Sequence, residues 1–552
     1  MVINMDYKKN YQSWLNSPYV DELTKRELKN LSESEIQDRF FKDLEFGTGG
    51  LRGIMEAGTN RLNIYTIRKA TQGVADELLS CGNESEKGVV IAFDSRNNSS
   101  AFAAEAAKVF CANGIKTYLF EGLRPTPLLS FAVRHLGCAR GIVITASHNP
   151  KEYNGYKVYG EDGGQIPPET AEKIIEYINK TDIFKDIKET GSLKPYIIGK
   201  EVDDAYIRAV HKQSFGIKIP DDFKVIYTPL HGSGMVFVKA ILEKIGVNNL
   251  FVIPEQENPD GNFPTVKSPN PENHEAFDIA IKYAKEQNAD LILGTDPDSD
   301  RIGVVIKTPD GDYTALNGNQ TGALLCEYIL RKTKESSAFP TKSFVVKTIV
   351  TTEMIKEIAQ DYGIAVCDTL TGFKYIGEKI KVAELEGNAD RFIFGLEESY
   401  GYLKGTYARD KDAVVASMLV AEMAADYKAK GITLYQALLK LYEKYGYHKE
   451  ALETLTLTGI DGMNKINKIM EKFRTETPPV EILFTEDYKQ GFNNLPKSDV
   501  IKFFIKDGWF AVRPSGTEPK IKFYFGIKTD SLDNAVKKLT ELKTKILKFA
   551  EI

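Results

Sequence analysis

The chain has 552 residues, too many for one hydrophobic core, and about 150 residues per domain predicts three or four domains. Its 72 basic and 77 acidic side chains leave a formal charge of −5 and are interspersed, which excludes a broad field for nucleic acid or an anionic membrane and leaves anions to specific groups. No run of about 18 apolar residues occurs, Met1 to Trp14 lacks a signal core, and the five cysteines are scattered, so a soluble, cytoplasmic monomer with reduced thiols is expected.

Residues 1–45 carry Leu, Trp and Phe among dense charges and are predicted to form a helical arm lying on a neighbouring surface. Phe46 to Gly53 follows as a glycine-dense loop with the Thr48 hydroxyl and the Arg52 guanidinium, a composition that lets backbone amides and a planar fork approach an anion. It matches neither a Walker loop nor a dinucleotide fingerprint.

From about residue 88 to 395 one pattern recurs three times, strand–helix–strand–helix–strand. The copies begin at Val89, Val225 and Phe344, and their third strands lead into Thr145-Ala146-Ser147-His148-Asn149-Pro150, Asp296-Pro297-Asp298-Ser299-Asp300-Arg301 and Glu397-Glu398-Ser399. Alternating strands and helices predict α/β domains with mixed, largely parallel sheets. After a helix around Ala413 to Tyr427, alternating segments at 482–484, 500–505, 509–512 and 521–525 and a helix at 532–549 predict a C-terminal α+β domain with an antiparallel sheet. The expected boundaries are 1–45 for the arm, then 46–205, 206–320, 321–450 and 451–552 for four domains.

The three strand ends carry the chemistry, because open α/β sheets bind ligands there. Ser147 offers a nucleophilic hydroxyl or, alternatively, a simple turn hydrogen bond. Asp296, Asp298 and Asp300 alternate, so an extended segment would project all three carboxylates to one side, suiting a hard cation such as magnesium; a solvated acidic turn is the alternative. The spacing does not fit a calcium loop. Lys157 is a candidate general acid or base if nearby cations loosen its proton, and His148 a neighbour that orients the serine. Glu397 and Ser399 offer acceptors to vicinal sugar hydroxyls or mark a helix start. Arg513, Ser515, Gly516 and Thr517, with Lys522 close by, read as a phosphate cradle or a turn.

These four motifs, in this order, resemble the signature loops of the α-D-phosphohexomutases over roughly residues 40–530, and the arm with Thr371-Gly372-Phe373-Lys374 resembles the phosphoglucomutase branch. The resemblance implies an enzyme, an intramolecular phosphotransferase of the isomerase class, with four domains around one cleft. It implies a phosphorylated Ser147 that ligates Mg2+ together with Asp296, Asp298 and Asp300, and Lys157, Arg52 and His148 in catalysis. Thr48, Arg301, Thr371, Gly372, Lys374, Glu397 and Ser399 would contact the sugar phosphate, and Lys411 with Arg513, Ser515, Gly516 and Thr517 would grip the phosphate that is not transferred. The implied reaction interconverts glucose 1-phosphate and glucose 6-phosphate through glucose 1,6-bisphosphate. Mannose or pentose phosphates, bisphosphate synthesis and, remotely, a non-catalytic sensor are the alternatives. Some bacterial members carry a histidine where this chain has Tyr402.

Overall fold

The computed structural model describes the chain except residues 1–5, 48, 83, 458 and 516–519, and the side chains of 459–461. Among the described residues there are four β-sheets, of six, five, four and five strands. The first three share a core. In each, the first strand of the repeat lies in the middle with the second and third parallel on either side: Val89–Phe93 between Thr117–Phe120 and Arg140–Ile144, Lys224–Thr228 between Asn249–Val252 and Leu291–Thr295, and Phe344–Thr348 between Ala365–Thr369 and Phe392–Glu397. Strands such as Val89–Phe93 and Leu291–Thr295 are buried at every position, which is why they read as unbroken apolar runs.

The third strand of each repeat does not lead into a helix. It reverses into an antiparallel neighbour: Tyr153–Gly160, Ile302–Lys307 and Gly401–Leu403. Each polar motif therefore occupies a strand-to-strand reversal. The expected glycine-dense loop is strand from Gly50 to Ile54, paired antiparallel with Tyr153–Gly160.

The first three sheets share one continuous core, and helix Ala413–Ala429, apolar nearly all round, is buried within it. In the C-terminal sheet the alternation of strand Gly508–Pro514 feeds two apolar faces. Phe510 and Val512 pack under helices Gly459–Thr475 and Leu532–Phe549, whereas Trp509 and Ala511 pack on Ile349, Val350 and Leu370 of the third domain. Two elements here escaped the sequence reading: the charged edge strand Tyr447–Thr456 and helix Gly459–Thr475. In the arm, helices Tyr7–Asn16, Glu22–Lys29 and Glu33–Phe40 bury Trp14, Leu28 and Phe40 against Tyr65. Among the described residues no helix is long and apolar enough to cross a membrane.

Gly155 lies on the strand wedged between the serine-bearing strand and Gly50–Ile54. A Cβ there would sit 2.5 Å from Thr145 O and 2.9 Å from Leu51 O, both backbone. Gly155→Ala should therefore cost on the order of 2 kcal/mol through forced strand separation. Chemical denaturation should show it, with activity falling alongside.

Candidate active site

The three reversals each contain a residue in the left-handed region: Ser147 at φ 53°, Ser299 at φ 52° and Tyr400 at φ 67°. Such a residue costs conformational energy in a non-glycine position, so surrounding contacts must hold it. What the reversals achieve is convergence of the serine and aspartate loops.

Ser147 is buried, and its Oγ donates to Asp296 Oδ2 at 2.8 Å, with His148 Nδ1 at 3.2 Å. The other oxygen of Asp296 accepts the N–H groups of Asp300 at 3.1 Å and Arg301 at 3.0 Å. Asp298 Oδ2 accepts from Thr126 Oγ1 at 2.8 Å and from Lys157 Nζ at 2.9 Å. Asp300 Oδ2 pairs with Lys411 Nζ at 2.8 Å and with Lys157 Nζ at 3.6 Å.

The aspartates are not extended, as the alternation suggested. The segment turns, with Ser299 N–H donating to Asp296 O at 2.9 Å, and the turn brings ligand oxygens of all three carboxylates within 4.8 Å of one another. All three are buried, which removes the solvated-turn alternative. Asp298 Oδ1 and Asp300 Oδ1 are buried without a hydrogen-bond partner. Orphaned oxygens among three converging carboxylates fit an oxygen-ligated divalent cation. Burial and the two neighbouring carboxylates push Asp296 well above the usual carboxylate range, whereas Asp298, despite burial, is held below it by Lys157.

Lys157 corrects a second expectation. It lies against carboxylates rather than cations, and although burial opposes its charge, Asp298 and Asp300 raise its pKa, so in this arrangement it is a firmly held ammonium. Burial and the nearby Arg301 and Arg52 push His148 well below the ordinary histidine value, leaving a neutral ring beside Ser147.

The serine and aspartate loops border a cleft of about 800 Å³ lined by groups from all four sheets' domains. Arg52 reaches it and donates to Asn149 Oδ1 at 3.1 Å; Arg301 reaches it and pairs with Glu272. Thr371, Gly372, Glu397, Ser399, Lys411, Arg513 and Lys522 line it as well. Strand Phe392–Glu397 runs into Gly401–Leu403, so the helix-start alternative for Glu397 and Ser399 falls. Gly372 N–H donates to Glu397 Oε1 at 2.7 Å, while Glu398 is held by the hydroxyls of Thr348 and Thr351 at 3.0 and 3.2 Å.

Two expectations change. Lys374 is not among the residues lining the cleft; its ammonium sits 5.1 Å above the Tyr375 ring. Lys411 stands beside the aspartates rather than with the C-terminal loop. Ser515 N–H donates to Lys520 O at 2.7 Å, and Thr48, Gly516 and Thr517 lie outside the described residues. Tyr402 is buried and donates to Gly318 O at 2.7 Å, a structural contact. Sequence reasoning missed Thr126, legible as a hydroxyl at a helix start between two prolines, and Glu272, which no local pattern marks.

A buried serine on an aspartate cluster, beside a cleft lined by basic and acidic side chains of three repeated α/β domains and a fourth, has the make-up of a phosphoryl-transfer enzyme. Four domain models of phosphoglucomutase/phosphomannomutase match in order, the α/β/α domains I, II and III at residues 43–184, 204–311 and 317–445, and the C-terminal domain at 461–541. A phosphoglucomutase of Staphylococcus aureus (strain bovine RF122 / ET3-1) is 38% identical over 545 residues, covering 95% of this chain and 96% of that protein. One from Staphylococcus haemolyticus is 36% identical, covering 94% and 97%. Two solved structures share the fold. A putative phosphomannomutase from Thermus thermophilus has a TM-score of 0.68 at 24% identity, covering 91% of this chain and 99% of that one. The open form of the Paramecium phosphoglucomutase parafusin has 0.69 at 17%, covering 93% and 95%. The chain belongs to the phosphoglucomutase/phosphomannomutase family of α-D-phosphohexomutases, in its phosphoglucomutase branch. It is therefore a phosphohexomutase, an intramolecular phosphotransferase.

Burial, opposed by Lys411 and reinforced by Glu398, raises Glu397 to about 7. Between its ordinary value and 7 the unfolded chain gives up this proton while the folded chain keeps it, so stability falls as pH rises through that window and stays lower above it. Glu397→Gln should thus raise the melting temperature at pH 8, by an amount corresponding to about 2 kcal/mol, and leave it nearly unchanged at pH 4. Thermal melts at the two pH values test the sign.

Proposed function

We propose that the cleft interconverts glucose 1-phosphate and glucose 6-phosphate, with Ser147 as the phosphoryl carrier. The observation that carries this is the buried Ser147 Oγ, held 2.8 Å from a carboxylate of a cluster with orphaned oxygens, at the edge of a cleft that Arg52, Arg301, Lys411, Arg513 and Lys522 line. The name shared by relatives 36–38% identical over nearly the whole chain supports the glucose assignment.

In the first half-reaction the bond from phosphorus to Ser147 Oγ breaks and one to the free hydroxyl of a sugar monophosphate forms, giving a bisphosphate. One proton passes, in net terms, from the sugar hydroxyl to Ser147 Oγ. The second half-reaction returns the other phosphate to Ser147 after the bisphosphate has turned over in the cleft. Asp296, Asp298, Asp300 and the Ser147 oxygen would hold Mg2+, which supplies charge neutralisation to the transferring group. The positive charge of Mg2+ held by these carboxylates would make the proton of the neighbouring Lys157 ammonium easier to remove, which would suit the amine to take the sugar hydroxyl proton. Neutral His148, at 3.2 Å from Oγ, orients that oxygen. Arg52, Arg301 and Lys411 surround the transferring phosphoryl group, each from the serine and aspartate side of the cleft.

Glu397 and Ser399 accept from adjacent ring hydroxyls, with Thr371 and Gly372 closing that side. Arg513, Ser515, Gly516, Thr517 and Lys522 grip the phosphate that stays. Glucose 1,6-bisphosphate is then both intermediate and activator, because it rephosphorylates Ser147.

Ser147→Ala should lose mutase activity altogether, and intact mass should show a phosphoryl group on the wild type after incubation with glucose 1,6-bisphosphate but none on the variant. Asp298→Asn should fold and raise the magnesium concentration for half-maximal rate by roughly tenfold or more, since it removes one ligand charge. An unchanged requirement would remove the cation from the cluster. Rates on glucose, mannose and ribose 1-phosphates test the sugar. Mannose, differing at carbon 2, should lose about 1 to 3 kcal/mol in kcat/KM, and ribose more through misplacement of one phosphate.

A further inference from the structure

Beside the serine loop lies a charged pair that the functional reading does not use. Strand Val89–Phe93 is the parallel neighbour of the serine-bearing strand, with Phe93 opposite Ile144, so Asp94-Ser95-Arg96 leaves the sheet next to Thr145. The side chains of Asp94 and Arg96 are fully buried, with Arg96 Nε 3.4 Å from Asp94 Oδ2. Burying such a pair is costly unless hydrogen bonds satisfy both members. Asp94 Oδ1 accepts from Ser99 Oγ at 2.7 Å and the Arg96 N–H at 2.9 Å, and the pair's remaining bonds go to Ser147 and its loop.

Arg96 Nη2 donates to Ser147 O at 2.5 Å and also to Asn149 O; Nη1 donates to Pro150 O at 2.8 Å and Tyr153 O at 3.0 Å. Four carbonyls of one reversal thus converge on a single guanidinium. On the other side, Thr145 Oγ1 donates to Asp94 Oδ2 at 2.6 Å and accepts the Ser147 N–H at 2.7 Å. The pair therefore fixes both flanks of the left-handed serine, its carbonyl through Arg96 and its amide through Thr145 and Asp94.

The second domain closes over the same spot. Arg96 stacks 5.1 Å from the Phe263 ring, and Asn97 Nδ2 donates to Asn262 Oδ1 at 3.1 Å. Gly261 comes so near that a Cβ would lie 2.3 Å from Asn97 N, and Ser268 Oγ donates to His148 O at 3.0 Å. With the loop's backbone held from both domains, rotation about the Ser147 Cα–Cβ bond is the motion left to Oγ.

We infer that Asp94 and Arg96 are positioning residues for phosphoryl transfer: they hold the serine loop in its left-handed reversal so that Ser147 Oγ faces the aspartate cluster, and Phe263 ties that geometry to the second domain. This rests on the reading of Ser147 as carrier. Lysine cannot replace the arginine, because its point charge lacks the planar fork that reaches four carbonyls.

The test compares Arg96→Lys and Thr145→Val with wild type, counting functional sites by phosphorylation of Ser147 with glucose 1,6-bisphosphate. Arg96→Lys should lower kcat per phosphorylated site about 100-fold, the scale of an ångström's misplacement, with KM for glucose 1-phosphate within about threefold. Thr145→Val, which removes one hydroxyl at constant volume, should lower kcat about tenfold with KM likewise held. Variants with fewer active sites but wild-type kcat per site would show a merely structural role and overturn the inference. Should Arg96→Lys not fold, Thr145→Val decides by the same split. Wild-type enzyme that takes no phosphate on Ser147 would instead sink the carrier reading.

Discussion

The hydrogen bond from Ser147 to Asp296 joins loops of two different sheets, and the geometry of the site depends on holding it. Its partners are 149 residues apart in the chain, so no local propensity can form it. Three features bring them together: the core shared by the first three sheets, the N-terminus of helix Thr126–Leu136 seated on the aspartate loop through Thr126, and the start of helix Ala413–Ala429, where Ala413 N–H donates to Ser299 O at 3.1 Å. A close-packed interior has low compressibility, so the elements that carry the two loops have little room to move relative to one another.

The aspartate cluster sets the electrostatics around it. Three buried carboxylates repel one another, and Lys157, Lys411 and Arg301 supply compensating charge. That compensation is incomplete, as the two orphaned oxygens show, and the site gives up stability for function in the manner common to active sites. Glu397, raised to about 7 by burial across the same cleft, belongs to this pattern.

The C-terminal domain brings Arg513 and Lys522 to the cleft from a sheet seated on the third domain. The seam is apolar, with Lys502 inside it, donating to Ile349 O at 2.6 Å and Glu353 Oε1 at 2.9 Å and lying 4.4 Å from the Trp509 ring. Burial lowers this lysine to about 8, with Glu353 opposing.

The local chemistry was legible from residue order alone. Unbroken apolar runs such as Val89–Phe93 marked buried strands, and the threefold strand–helix recurrence marked the α/β repeats, with Ser147, the three aspartates and Glu397 at equivalent strand ends. Those signals are short-range, set by periodicity and side-chain type. The edge strand Tyr447–Thr456 was not legible, because one of its faces is solvated and its charges hide the alternation. Nor was the turn that gathers Asp296, Asp298 and Asp300, since a left-handed Ser299 has no sequence signal. Only tertiary structure placed Lys157 against carboxylates and Arg96 beneath the serine loop, because each of those positions is decided by a partner distant in the chain.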